Sequence, residues 1–268
     1  MKEKALHLGR HLLLLFSLAV LAFVLLFTLK KDSGEILATS KALSEEEEED
    51  IRNSSQYQSI IESTDIYPAS FIEDLKRNPE ILEFLENYPT AEHVATGGIT
   101  SSDAGQKCPL FIQWDSRWGY VDYGNNVVGI SGCGPTCVAM VTYALTHDSN
   151  ISPDVVASYA MENDYYVDGI GTAWALLEDY PAQYEISCHR YDSMTFEDVV
   201  KTLDEGGYLI CSVGPGDFTD TGHFIVISGY NSDELEIKDP FSYTNSSKTW
   251  SFDTIKNQTK SFWTYNLQ

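Results

Sequence analysis

The 268-residue chain has room for one ordinary globular domain plus appendages, and 43% hydrophobic with 12% aromatic content suffices for a packed core. A formal net charge of −23 excludes a nucleic-acid partner and peripheral attachment to anionic lipid, because no Lys/Arg stripe is available to neutralise phosphates. Five cysteines, an odd number, do not close into a disulfide framework, so at least one thiol is expected to be free.

Residues 12–29 are an uncharged apolar run long enough to cross a bilayer as a helix. Lys2, Lys4 and Arg10 precede it; Lys30 and Lys31 follow. We read residues 1–31 as a signal anchor in the lipid bilayer, with the N-terminus in the cytoplasm and the remainder an extracytoplasmic ectodomain. The rival is a cleaved signal peptide and a secreted product, for which Ala38 and Ala42 are poor cleavage sites. Residues 32–65 read as an acidic tether: Glu45 to Glu49 and Asp50 form a self-repelling block, within which Ser44 can cap a helical stretch. In residues 66–106, Pro68 opens a short helix with Phe71, Ile72 and Leu75 on one side. Pro79 opens a second, carrying Ile81, Leu82, Phe84 and Leu85. Both are expected to dock on the domain that follows, through a connecting loop at 90–106.

Residues 107–268 mix both periodicities. Helices are expected at 137–145, at 153–161 behind the Ser152-Pro153 cap, and after Thr195 with Asp198 three residues on, ending at Gly206-Gly207. Strands are expected at 208–213, 224–229, 235–238 and 262–267. Helices first and an antiparallel sheet afterwards is an α+β order.

Cys133, in Gly132-Cys133-Gly134-Pro135-Thr136, precedes or begins a helix. Unpaired N–H groups and the positive end of the dipole stabilise a thiolate there, and the Cys133 N–H can serve a developing oxyanion. The flanking glycines would let a substrate backbone come close. The plainer reading is a buried structural cysteine, as we expect of Cys137. His223 begins a strand. A hairpin centred near residue 231 sets it opposite Asp239, so that the carboxylate orients the imidazole toward the thiol. Alternatively Asp239 caps a turn and His223 is a surface residue. His147 and His189 have no companion carboxylate on a predictable shared face, and His93 lies in the connecting loop. The spacings of Cys133, Cys137, Cys188 and His189 match no recognised structural zinc site.

Gln113-x-Asp115-x-x-Trp118, Tyr123-Gly124, Gly132 to Thr136 with Ala139-Met140, Gly171-Thr172, Gly222 to Val226 with Gly229-Tyr230, and Asp239-Pro240 together resemble the double-glycine, or bacteriocin-processing, cysteine peptidase-like family of papain-like proteins. The likeness runs from residue 108 to the C-terminus and is closer to the stand-alone, surface-anchored branch of Gram-positive bacteria. The 67–89 helices also look like the preceding region of such proteins. The resemblance implies a papain-like α+β fold, with a helix carrying the nucleophile packed on an antiparallel sheet. It implies Cys133 as nucleophile, His223 as base, Asp239 as orienter and Gln113 as oxyanion donor, acting on a peptide or protein substrate with no cofactor or metal. Cys137 stands where serine is more usual, which leaves open which sulfur reacts. The ATP-driven exporter segments of the bacteriocin-exporting branch are not among these residues, so a double-glycine leader substrate is not implied. The same residues also suit an idle surface binding module, or a cell-wall peptide hydrolase or acyltransferase.

Overall fold

In the computed structural model, which describes residues 41–268, the chain is helical almost from the first described residue. Ser44 closes a capping box with Glu47 at the head of helix α1 (Glu45–Asn53), and four glutamates occupy its first turn, at the positive end of the dipole. Helix α2 (Ser55–Glu62) follows, and Leu43, Ile51, Tyr57 and Ile60 are buried. The tether expected over 32–65 is thus corrected for its described part. A few apolar residues at helical spacing are enough to dock two helices, while the acids stay on the wet face. The described residues belong to one compact unit. The signal anchor expected at 12–29 lies outside the described residues; among those described, no helix is long and apolar enough to cross a membrane.

Helix α3 (Ala69–Arg77) buries Phe71, Ile72 and Leu75, as its pattern predicts. A 3-10 turn (Pro79–Ile81) leads into α4 (Leu82–Asn87), and Phe84 stacks on Tyr120 with ring centroids 4.5 Å apart. The 90–106 connection contains one helical turn, capped by Thr100 and Asp103. The Asp103 carboxylate also holds Arg117 at 2.7 Å.

Helix α5 (Cys133–Thr146) is apolar on every side and buried from Gly134 to Leu145, which makes it the centre of the fold. Helices α6 (Pro153–Glu162), α7 (Leu176–Ala182) and α8 (Phe196–Asp204) follow, α8 behind the capping box of Thr195 and Asp198. The sheet has β1 (Ile186–Tyr191), β2 (Tyr208–Val213), β3 (His223–Asn231), β4 (Glu234–Lys238), β5 (Thr249–Ser251) and β6 (Thr259–Leu267). It is antiparallel throughout, in the order β1-β6-β2-β3-β4-β5. Alternation divides its side chains between two cores. Ile210, Phe224, Val226 and Trp263 pack in the core of α5, and Leu209, Cys211, Ile225 and Ile227 pack with Val199 of α8. The architecture is the expected α+β, with one departure from helices-first order. Strand β1 precedes α8, and as an edge strand with only Ile186 buried it carries no alternation to read.

The N-terminal helices grip the domain through a buried carboxylate. Glu80 is 2% exposed and accepts the Tyr243 N–H at 2.7 Å and the Thr244 N–H at 2.8 Å, at the start of the single-turn helix α9 (Tyr243–Ser246). Asn78 Nδ2 donates to Phe241 O at 2.6 Å. Glu80→Ala removes the acceptor of the part-buried Tyr243 and Thr244 N–H groups and of the Thr244 hydroxyl, so urea titration is expected to show a loss of roughly 2–4 kcal/mol. An unchanged midpoint would show that the clamp contributes nothing.

Candidate active site

The chain delivers four side chains from four separate segments to one place. Cys133 is the first residue of α5, directly after Gly132, and is half-buried. At that position its N–H has no acceptor within the helix. The flanking glycines do not make room for substrate, as the sequence suggested. A Cβ at Gly132 would meet Val128 O at 2.5 Å, and one at Gly134 would meet Thr172 Oγ1 at 2.6 Å. They let the chain pack against itself and so fix where the helix begins.

His223 opens β3 and is 9% exposed. Its Nε2 lies 2.8 Å from Asp239 Oδ1. The expected register is corrected by two residues. The turn falls at Ser232-Asp233, and Val226 pairs with Lys238, so Asp239 is level with Ile225 rather than with His223. Asp239 has left the ladder, and its carboxylate reaches back along β3 to the ring. There it is 1% exposed and held on both oxygens. Oδ1 also accepts the Phe241 N–H at 2.9 Å, and Oδ2 accepts Asn245 Nδ2 at 2.8 Å.

With Nε2 occupied by Asp239, Nδ1 is the ring nitrogen left for the Cys133 side chain, with which the imidazole also interacts. Burial opposes a charge on the ring. The charge and hydrogen bond of Asp239, together with Cys133, outweigh that and raise the imidazole from its ordinary 6.5 to about 10. The balance favours the charged form of the ring.

Cys133, His223 and Gln113 line one cleft of about 860 Å³, in the size range of small-molecule and peptide sites. Gln113 is 1% exposed, and its Nε2 donates to Gly129 O at 3.0 Å and to Ile130 O at 3.1 Å, while Oε1 has no partner. An oxyanion would have to compete with those two carbonyls for the amide hydrogens. Cys137 is buried one turn along the helix, and its thiol donates to Phe224 O at 3.3 Å. All five cysteines are free thiols. Among the described residues, no cluster of three or more His, Cys, Asp or Glu is placed to hold a metal.

Sequence reasoning missed two contributors. Asn245, which orients Asp239, lies in a polar run with no periodic signal; only the folding of the 239–246 loop selects it. Asp74 of α3 also lines the cleft. It was legible only as a polar position opposite the apolar stripe of that helix.

The peptidase domain of Streptococcus ComA, a bi-functional ABC transporter involved in a quorum-sensing pathway, is 18% identical, with a TM-score of 0.39 over 52% of this chain and 93% of that one. A crystal structure from Bacillus anthracis, described as C39-like peptidase, is 13% identical, with a TM-score of 0.38 over 52% of this chain and 90% of that one. The Salmonella effector SpvD is 11% identical, with a TM-score of 0.32 over 80% of this chain and the whole of that one. No curated protein sequence matches the chain. The Peptidase_C39 like family matches residues 106–267. That span is more than half of the chain and takes in Cys133, His223 and Asp239 alike, and by it the chain belongs to the Peptidase_C39 like family.

Proposed function

We propose that the protein is a membrane-anchored, extracytoplasmic cysteine peptidase that hydrolyses peptide amide bonds through Cys133, His223 and Asp239. The observation that carries this reading is the buried His223, bonded on one side to Asp239 and turned on the other to a cysteine at a helix start. Family membership supports the reaction class. The uncharged run at 12–29 supports the anchor.

In this reading the Cys133 sulfur attacks the carbonyl carbon, and the Cys133 N–H receives the oxyanion, with Gln113 as second donor once a carbonyl yields an amide hydrogen. The proton on His223 passes to the leaving amine, and the C–N bond breaks to leave a thioester. The neutral ring then takes a proton from water as the water oxygen attacks the thioester carbon, the C–S bond breaks to return the Cys133 thiolate beside the recharged ring, and the acid product leaves. Asp239 holds the ring in place through both steps.

Assays on a peptide library and on muropeptides are expected to give hydrolysis that disappears in Cys133→Ala and falls by roughly 10²–10⁴-fold in His223→Ala. Iodoacetamide is expected to label Cys133 first; preferential labelling of another cysteine, or activity that survives Cys133→Ala, would sink the assignment. In intact cells, protease added outside is expected to digest residues 41–268, and protection of that region would reverse the topology.

The sign of the pH effect follows from the raised imidazole. The stabilisation that Asp239 gives the charged ring is complete below about pH 6.5 and is lost as pH rises through about 10. Thermal melts of wild type and Asp239→Asn should therefore differ most near neutral pH and converge toward pH 10. The alkaline limb of kcat/KM should move to lower pH in Asp239→Asn, because the charge that holds the proton has gone. A difference in melting that does not vary with pH would contradict a charged His223.

A further inference from the structure

One wall of the cleft is built by residues outside the family match. Helix α3 ends well before residue 106, where that match begins. Ser70, Asp74 and Arg77 recur at i, i+4 and i+7, so they form a single stripe. This stripe lines the cleft that holds Cys133 and His223. The helix is fastened in place at its C-terminal end. Arg77 Nη1 pairs with Asp220 Oδ1 at 2.7 Å, and Arg77 Nη2 donates to Gly216 O at 3.1 Å. Asn78 and Glu80 anchor the next turn to the loop behind Asp239.

The two charges of the stripe differ in one respect. Arg77 has its counter-ion in Asp220. The Asp74 carboxylate has no hydrogen-bond donor and no ion-pair partner at contact distance among the described residues. Burial, with a smaller push from Glu73, raises its carboxyl to about 7, although His223 and Arg77 pull the other way. His223 is already committed to Asp239 and Cys133, and Arg77 to Asp220. Asp74 is half-buried, and an ionised carboxylate partly removed from water gains when a cation joins it. The group that fits is therefore a cation brought in from the cleft. The chain's net charge of −23 also draws cations toward it over long range.

We propose that Asp74 is a specificity-determining residue that takes a cationic group of the bound peptide, either a Lys or Arg side chain or a free α-amine, next to the catalytic pair. This deepens the peptidase reading and rests on it for the word substrate, but the ion pair itself can be tested without turnover.

The test uses the full-length protein carrying Cys133→Ala, which binds without cleaving. A positional peptide library, with Lys or norleucine at each position and the N-terminus free or acetylated, is titrated at pH 8. At one position, or at the terminus, the cationic form is expected to bind at least about tenfold tighter. The Lys and the free-terminus arms separate the two sources of charge. Adding Asp74→Asn is expected to shrink that ratio to below about twofold, and Asp74→Glu to retain most of it. Absence of a cationic preference overturns the proposal whether or not the Asp74 variants fold, as does a preference that a folded Asp74→Asn variant keeps. In wild type, the same ratio is expected in kcat/KM. Binding preference without cleavage of any peptide would refute the peptidase reading and leave the Asp74 site standing. Cleavage without preference would do the reverse.

Discussion

The buried contact between His223 and Asp239 is the constraint around which the site is arranged. Two groups taken out of water favour the native state only if every remaining lone pair and proton finds a partner. The Asp239 carboxylate meets that demand with His223, the Phe241 N–H and the Asn245 amide. The loop that supplies those partners is closed on itself: the Asp239 N–H donates to Ser246 Oγ, and Ser246 Oγ donates back to Asp239 O. The Gln113 N–H donates to Pro240 O at 2.7 Å, so the segment bearing the third cleft residue is tied to the same loop. Residues far apart in the chain thus share one rigid element, and moving the loop would displace both the orienter of the imidazole and the backbone of Gln113.

The helices before residue 106 brace this loop from outside. Asn78 Nδ2 donates to Phe241 O, Glu80 caps α9, and the Leu43 N–H donates to Thr244 Oγ1; Trp114 Nε1, from within the match, donates to the same Phe241 O. Each contact falls on a residue between 239 and 246 or on its immediate support. A segment lying outside the family match is therefore part of what holds the Asp239 carboxylate, as well as one wall of the cleft. This accounts for two unusually polar features of helices that would otherwise need only an apolar stripe to dock: the buried Glu80 and the Asn78 cap.

What could be read in the sequence follows the range of the physics that encodes it. Helix starts were legible where the signal lies within three residues: at Ser44 and Thr195, which close capping boxes, and at Pro153, which suits a first helical turn although the Ser152 side chain does not cap it. The strands at 208–213 and 235–238 were legible from apolar content, and the pairing of His223 with Asp239 from the proximity of the two arms of a hairpin. The register itself was not legible, because the irregularity between Ile227 and Gly229 and the placement of the turn at Ser232, which has a φ of 57°, depend on the assembled sheet. The reading of 32–65 as a spacer failed for the related reason that charge density is visible in sequence, whereas the surface on which Ile51 and Tyr57 dock is not. Gly132 and Gly134 were recognised as necessary but assigned to the wrong neighbour. Sequence shows that a Cβ is absent, and only the fold shows that Val128 and Thr172 occupy the space.

The same burial that builds the core separates the five thiols into two kinds. Cys108, Cys137, Cys188 and Cys211 all have thiols pushed upward, in each case chiefly by desolvation. Burial holds each of them as the neutral thiol, which is a poor nucleophile. Cys137 is the instructive one, since it shares a helix with Cys133 and lies one turn away. It faces the core and gives its hydrogen to the Phe224 carbonyl. Cys133 differs in being at the helix start, open to the cleft and adjacent to the His223 imidazole. Chemical selectivity among five free thiols then needs no sequence-specific recognition of the reactive one. It follows from α5 being buried along its length and exposed to the cleft only at its first residue.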